Sequence, residues 1–187
     1  VQQNSEKEKL RKSDSIREPI RFIKKNLKED LIGAEIGVLR GDHAGQMLKY
    51  LSIKHLYLID EWDSWLLRFP NRTYDLKAMS FGDYKRAVQR LKPHSNTTII
   101  KECSIKASQQ FKDRTFDFVY IDADHNCASV LADLLVWERK VKKKGVLCGH
   151  DYNWYGVKDA IDIYLKIYPR NLKIYNSIRG DWWWRVP

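Results

Sequence analysis

Two short stretches carry the densest chemistry of the chain. One, IDADH, holds Asp122, Asp124 and His125; the other, GHDY, holds His150 and Asp151. An imidazole exchanges a proton near neutral pH, and acids beside it can orient the ring and balance its charge. A third stretch, DLIGAEIGVLRGDHAGQMLKYL from Asp30 to Leu51, brings Glu35 together with Gly33, Gly37 and Gly41 at four-residue spacing. Gly37 and Gly41 permit backbone angles and a close ligand approach that a side chain would obstruct. Free amides at the start of the helix that follows favour an anion, either a phosphate or the carboxylate of an amino-acid-like cofactor. A plain tight turn is the competing reading of these glycines.

The elements that must position these groups follow from the hydrophobic pattern. Leu31 to Val38 is a short apolar run suited to a buried parallel strand, and Ala44, Met47, Leu48 and Leu51 then recur at helical spacing behind a cap expected at Asp42. His55 to Asp60 (HLYLID) is a second strand ending in a carboxylate, placed to accept hydrogen bonds from a ribose across a right-handed crossover. A polar strand terminus is the alternative for Asp60. Phe81 to Leu91 is a helix stopped by Pro93, Thr97 to Lys101 (TTIIK) a third strand, and Phe116 to Ala123 (FDFVYIDA) a fourth. A helix through Leu131, Leu134, Leu135 and Trp137 leads to a fifth strand, Gly145 to Tyr152. Neighbouring strand tips in an open parallel sheet face one crevice, so IDADH and GHDY should meet there. Before the first strand, Glu18 to Leu27 patterns as an amphipathic helix. After the fifth, Tyr155 to Tyr168 is helical, and Leu172 to Ile178 and Asp181 to Val186 form a hairpin about Arg179-Gly180. Trp62, Trp65, Phe69 and Tyr74 in 61–80 suit a substrate wall or a cover for the sheet edge.

The dinucleotide fingerprint is absent, because Leu39 stands where its second glycine belongs. Glu35-Ile-Gly37-Val-Leu-Arg-Gly41 instead resembles the first motif of class I S-adenosylmethionine-dependent methyltransferases. IDADH and GHDY, with their linker, resemble a small-molecule O-methyltransferase subgroup of sugar and catechol types. The likeness covers roughly 33–152. It implies an α/β fold, a doubly wound Rossmann-like seven-stranded sheet with five parallel strands plus a C-terminal antiparallel hairpin. It further implies that Glu35 holds the methionine amino group, that Gly37 and Gly41 form the cofactor turn, that Asp60 takes the ribose and that Ser104 or Ile105 contacts the adenine. From the catechol type, Asp122, His150 and Asp151 would bind a divalent cation, Mg or Mn, with Asp124 a further ligand or supporting partner; a hydrogen-bonded cluster without metal is the alternative. Asp122 thus stands among cofactor, metal and catalytic residues, and His125 is the general base or an orienting donor. Departures from the family are Asn126 and Cys127, where an aromatic is usual, and Arg40 and His43, read as solvated.

Composition bounds the rest. The chain has 187 residues, 43% hydrophobic, a size and make-up for one domain, taken as 16–187 behind a polar segment 1–15 expected to be disordered or a frayed helix. No apolar run is long enough for a membrane span, and the polar start lacks the apolar centre of a secretory signal. Cys103, Cys127 and Cys148 have no metal-type spacing and suit reduced thiols in a cytoplasmic protein. The net charge of +10 raises nucleic acid as a partner, but basic and acidic residues are interspersed and no recognition motif accompanies them. The expected partner is a small-molecule acceptor. RNA or protein methylation and a non-catalytic cofactor-binding module are the other readings, and oligomeric state is left open.

Overall fold

The protein is described from a computed structural model, covering residues 16–62, 76–176 and 178–187, with backbone alone over 76–81. The segment 1–15 and the aromatics Trp65, Phe69 and Tyr74 lie outside the described residues.

Elements run α1 (Glu18–Asn26), β1 (Leu31–Ile36), α2 (Asp42–Tyr50), β2 (Ile53–Asp60), α3 (Leu76–Leu91), β3 (Thr97–Lys101), α4 (Ser104–Ser108) and β4 (Phe116–Ile121). They continue with α5 (Cys127–Trp137), β5 (Val141–Gly149), α6 (Tyr155–Ile167), β6 (Lys173–Tyr175) and β7 (Asp181–Arg185). The strands form one seven-stranded sheet in the order β3-β2-β1-β4-β5-β7-β6. The first five are parallel, and β7 pairs antiparallel with both β5 and β6. This is the expected doubly wound sheet with its closing hairpin.

Alternation along β4 explains the three layers. From Phe118 on, Phe118 and Tyr120 pack with Ile20 and Ile23 of α1, Met47 of α2 and Leu91 of α3, while Val119 and Ile121 pack with Leu134 and Trp137 of α5 and Ile161 of α6; Phe116 joins this second side because the pairing register shifts between it and Phe118. Side chains two apart share a face, so a strand covered on both sides reads as an unbroken apolar run. The three consecutive tryptophans follow the same rule. Trp182 and Trp184 lie stacked and buried under α6, whereas Trp183 points to the other face beside Phe22.

Several boundaries differ from the sequence pattern for identifiable reasons. Asp42 does not cap α2: the cap residue is Gly41, at φ 73°, and the Asp42 carboxylate instead pairs with Arg90 of α3. On α5 the buried face is Val130, Leu134 and Trp137, while Leu135 is exposed. β5 begins at Val141 and stops at Gly149, so His150 and Asp151 sit in the turn beyond it. The chain turns sharply there, since Asp151 takes φ 59°, a left-handed conformation that few residues other than glycine and Asx adopt.

The sheet reverses its winding between β1 and β4: β2 and β3 extend to one side, β4's neighbours to the other. A crevice opens at the carboxyl ends of strands at such a point. Gly37 keeps the two tips close. It has φ 88°, and a Cβ there would lie 2.2 Å from the Asp122 carbonyl oxygen.

Candidate active site

A cleft of about 810 Å³ opens at this reversal, lined by residues from the tips of β1, β2, β3 and β4 and from Asp151 after β5. Its size suits a nucleoside cofactor together with a small acceptor. Glu35, Gly37, Asp60, Ser104, Asp122, His125 and Asp151 line it, while Gly41 and His150 do not. The packing of α2 explains Gly41's place: it starts the helix and lies against Ala87 and Leu91.

On the β1 side, the Asp60 carboxylate organises the turn, accepting from Val38 and Leu39 N–H at 2.8 and 2.9 Å and from Trp62 N–H at 2.8 Å. Oδ2 takes the first two and Oδ1 the third, so Oδ1 keeps a lone pair for a hydroxyl. Glu35 is 1% exposed, with Oε1 2.8 Å from His43 Nδ1. Burial, then the nearby Asp122 and Asp60 carboxylates, push the Glu35 carboxyl well above its usual range despite Arg17. Burial likewise holds His43 well below the ordinary imidazole value, with Arg17 and His150 adding to it. His43 is therefore buried and paired, not solvated as its position beside the turn suggests. Arg40 is ion-paired with Asp83 at 2.7 Å. Ser104 donates to Asp133 and accepts from Trp137 Nε1 at 2.8 Å, so its hydroxyl is held between α5 side chains. Burial drives the Asp133 carboxyl up to about 7.

On the β4–β5 side, three strand-tip groups converge: one donor atom each from Asp122, His125 and Asp151 lies within 4.8 Å of the others. The Asp151 Oδ2 accepts from His125 Nε2 at 2.8 Å and stands 3.0 Å from His150 Nδ1. Burial works to raise Asp151, but the hydrogen bonds from these two histidines outweigh it and hold the carboxyl well below its usual value. That bond in turn raises His125 above the ordinary imidazole value, against its partial burial. The His125 imidazole is fixed further by stacking on Trp154, the two rings lying 5.1 Å apart at 27°.

The group whose donor atoms converge holds His125 where the sequence reading names His150, and His150 lies behind it, against Asp151. The turn at Asp151 directs His150 toward β7, where its Nε2 lies 3.8 Å from Asp181 Oδ1. Asp124 bonds to Asn126, whose side chain caps α5 by accepting from Ser129 N–H at 3.2 Å.

Four lining or supporting residues escaped the sequence reading. Arg17 reaches in from the start of α1, donating through Nη1 to Tyr120 Oη at 2.5 Å and to Asp122 Oδ2 at 2.9 Å. It is 105 positions from Asp122 and carries no local signal. Asp133 and Trp154 sit in ordinary helix and loop contexts, and His43 was visible only as an oddity.

A family model described as a methyltransferase domain matches residues 34–152, from β1 through the turn after β5. The chain belongs to that methyltransferase family. No curated protein matches it in sequence. Among solved structures, it is similar to a proposed caffeoyl-CoA O-methyltransferase from Staphylococcus aureus, at 16% identity and TM-score 0.64 over 92% of this chain and 85% of that one. It is also similar to an rRNA methylase from Streptococcus thermophilus, at 14% identity and TM-score 0.61 over 90% and 93%. A proposed methyltransferase from Streptococcus mutans in complex with SAH matches at 12% identity and TM-score 0.63 over 91% and 97%. At such identities these likenesses speak for the fold alone. The methyltransferase thus has the class I S-adenosylmethionine-dependent fold. No helix among its described residues is long and apolar enough to cross a membrane.

Proposed function

We propose that this methyltransferase moves a methyl group from S-adenosylmethionine to a hydroxyl of a small molecule, such as a sugar or polyhydroxylated natural product. The observation that carries the reading is the His125–Asp151 pair, 2.8 Å apart in the cleft wall. A carboxylate only accepts, so Nε2–H donates to Asp151 and leaves Nδ1 as the base. As the acceptor oxygen attacks the sulfonium methyl, the carbon–sulfur bond breaks to leave a neutral thioether and the hydroxyl proton passes to Nδ1. Asp151 stabilises the imidazolium formed, and Trp154 holds the ring plane. Holding acceptor and methyl donor together supplies much of the remaining rate.

The donor set also fits a divalent cation. Asp122, His125 and Asp151 converge, and Asp151 Oδ1 is buried with no hydrogen-bond partner among the described residues. Two carboxylates and an imidazole suit manganese at least as well as magnesium. Held by the two acids with His125, whose lone pair would then be taken up, such an ion would replace the base by lowering the hydroxyl pKa and directing the oxygen. Without such an ion, Arg17 already pairs with Asp122 and both histidines face Asp151 Oδ2, so His125 can take the proton.

A second reading, RNA methylation, draws on the net charge of +10 and on the rRNA methylase among the similar folds. The cleft argues for the small molecule, because nine acids line it against Arg17, Arg40 and Arg179. An acidic cleft attracts a sulfonium and repels a phosphate backbone. Calorimetric titration with S-adenosylhomocysteine is the first test, with micromolar affinity expected; absence of binding would remove the reading. Product formation from a hydroxylated acceptor panel, with and without manganese, then separates an enzyme from a binding module. Salt-sensitive RNA binding coupled to RNA methylation would favour the second reading.

A further inference from the structure

We infer that His43 completes the subsite for the amino-acid end of the cofactor beside Glu35, taking the carboxyl proton across their shared hydrogen bond when the zwitterion binds. The inference rests on the S-adenosylmethionine reading. Its ground is a set of cleft-lining polar atoms that are buried yet have no hydrogen-bond partner among the described residues: Glu35 Oε2, His43 Nε2 and, one turn further along α2, Gln46 Oε1. A buried polar atom left without a partner is costly, so such a group is poised for a ligand that supplies one. A pair of carboxyl and imidazole already joined at 2.8 Å through Oε1 and Nδ1 leaves one acceptor, Oε2, and one donor, Nε2–H. An α-amino acid presents the complement, an ammonium and a carboxylate.

The protonation states follow from burial. Without a charged ligand, desolvation favours neutral carboxylic acid and neutral imidazole, in keeping with the raised Glu35 and lowered His43. The groups around them are Arg17 before α1, Asp60 at the tip of β2, Tyr120 on β4, Asp122 just past its end and His150 after β5. An ammonium beside Oε2 favours the carboxylate, and a carboxylate beside Nε2–H favours the imidazolium. The proton on Oε1 therefore moves to Nδ1 across their existing hydrogen bond. No proton is exchanged with solvent, and two neutral groups become an ion pair matched to the ligand's own. Nothing in this step involves the acceptor site.

Two ligands and one variant test it. His43→Gln, which keeps a polar side chain but cannot take the proton, should weaken S-adenosylhomocysteine ~30-fold or more. It should leave 5′-deoxy-5′-methylthioadenosine, which lacks the amino-acid end, unchanged. In the wild type, nitrogen NMR of labelled histidine should show His43 change from neutral to imidazolium as S-adenosylhomocysteine is added. Binding enthalpy should be the same in phosphate and Tris buffers. Equal weakening of both ligands, a His43 that stays neutral in the complex, or buffer-dependent enthalpies would overturn the inference. If the wild type bound neither ligand, the cofactor reading would fall first and this inference with it.

Discussion

The two halves of the cleft treat their polar groups in opposite ways. At the β1 tip, Glu35, His43 and Gln46 keep buried atoms without partners, and the local carboxyl and imidazole are pushed toward neutrality. At the β4 and β5 tips one such atom remains, Asp151 Oδ1, but the other Asp151 oxygen receives two histidines and Asp122 an arginine, so the charges are met from within the protein. The first half is built to be completed by a charged ligand. The second is a connected proton-handling network whose members hold one another's charge and orientation. The difference also shows in exposure: Glu35 is 1% exposed, whereas the His125 side chain, at 36%, is open to an acceptor.

If that division holds, substitutions in the two halves should separate catalysis from cofactor binding. His125→Ala gives the largest expected effect, a fall in turnover of about 10²–10⁴-fold with S-adenosylhomocysteine affinity unchanged, read by steady-state kinetics beside calorimetry. A parallel loss of cofactor affinity would break the division. Gly37→Ala acts at the seam, since the new methyl meets the Asp122 carbonyl and the backbone is left-handed. It should cost about 2–3 kcal/mol of stability, visible as a Tm lower by ~5–10 °C, together with cofactor affinity.

A smaller and more pointed effect concerns pH. His125 is raised by its bond to Asp151, and only its neutral form is a base, so turnover should fall as pH drops through that raised value. Asp151→Asn removes the cause, and the acid limb of the profile should shift to lower pH while the plateau rate declines. An unmoved limb would assign the titration to another group.

The smallest effect lies at the cofactor side's far wall. Asp133 has a folded-state value raised to about 7 from 3.8, so it holds its proton longer folded than unfolded. Its contribution to stability falls as pH rises from about 4 to 7 and is level above, by linkage. Asp133→Asn should remove that loss, raising stability by about 1–3 kcal/mol at pH 8 and far less at pH 4, in thermal melts.

Much of this was legible because the signals were local. A strand covered on both faces shows as FDFVYI, a turn needing left-handed backbone shows as Gly37, and a hairpin shows as Arg179-Gly180 between β-prone runs. Each depends on residues within a few positions of one another. The extension of β5 back to Val141 was not legible, because Lys142 to Lys144 break the apolar run while their backbone still joins the strand. His43 beside the turn looked like surface for a similar reason: nothing nearby announces that Tyr120 lies 4.0 Å from its ring.

The order of elements, the parallel sheet and the presence of acids and imidazoles at strand ends were fixed by hydrophobic period and turn chemistry, which act over a few residues. Which histidine joins Asp122, that Arg17 balances it, and that Glu35 shares a bond with His43 were decided only on folding. Those choices depend on desolvation and on distances between segments up to 105 positions apart, quantities that exist only once the sheet has brought its tips together.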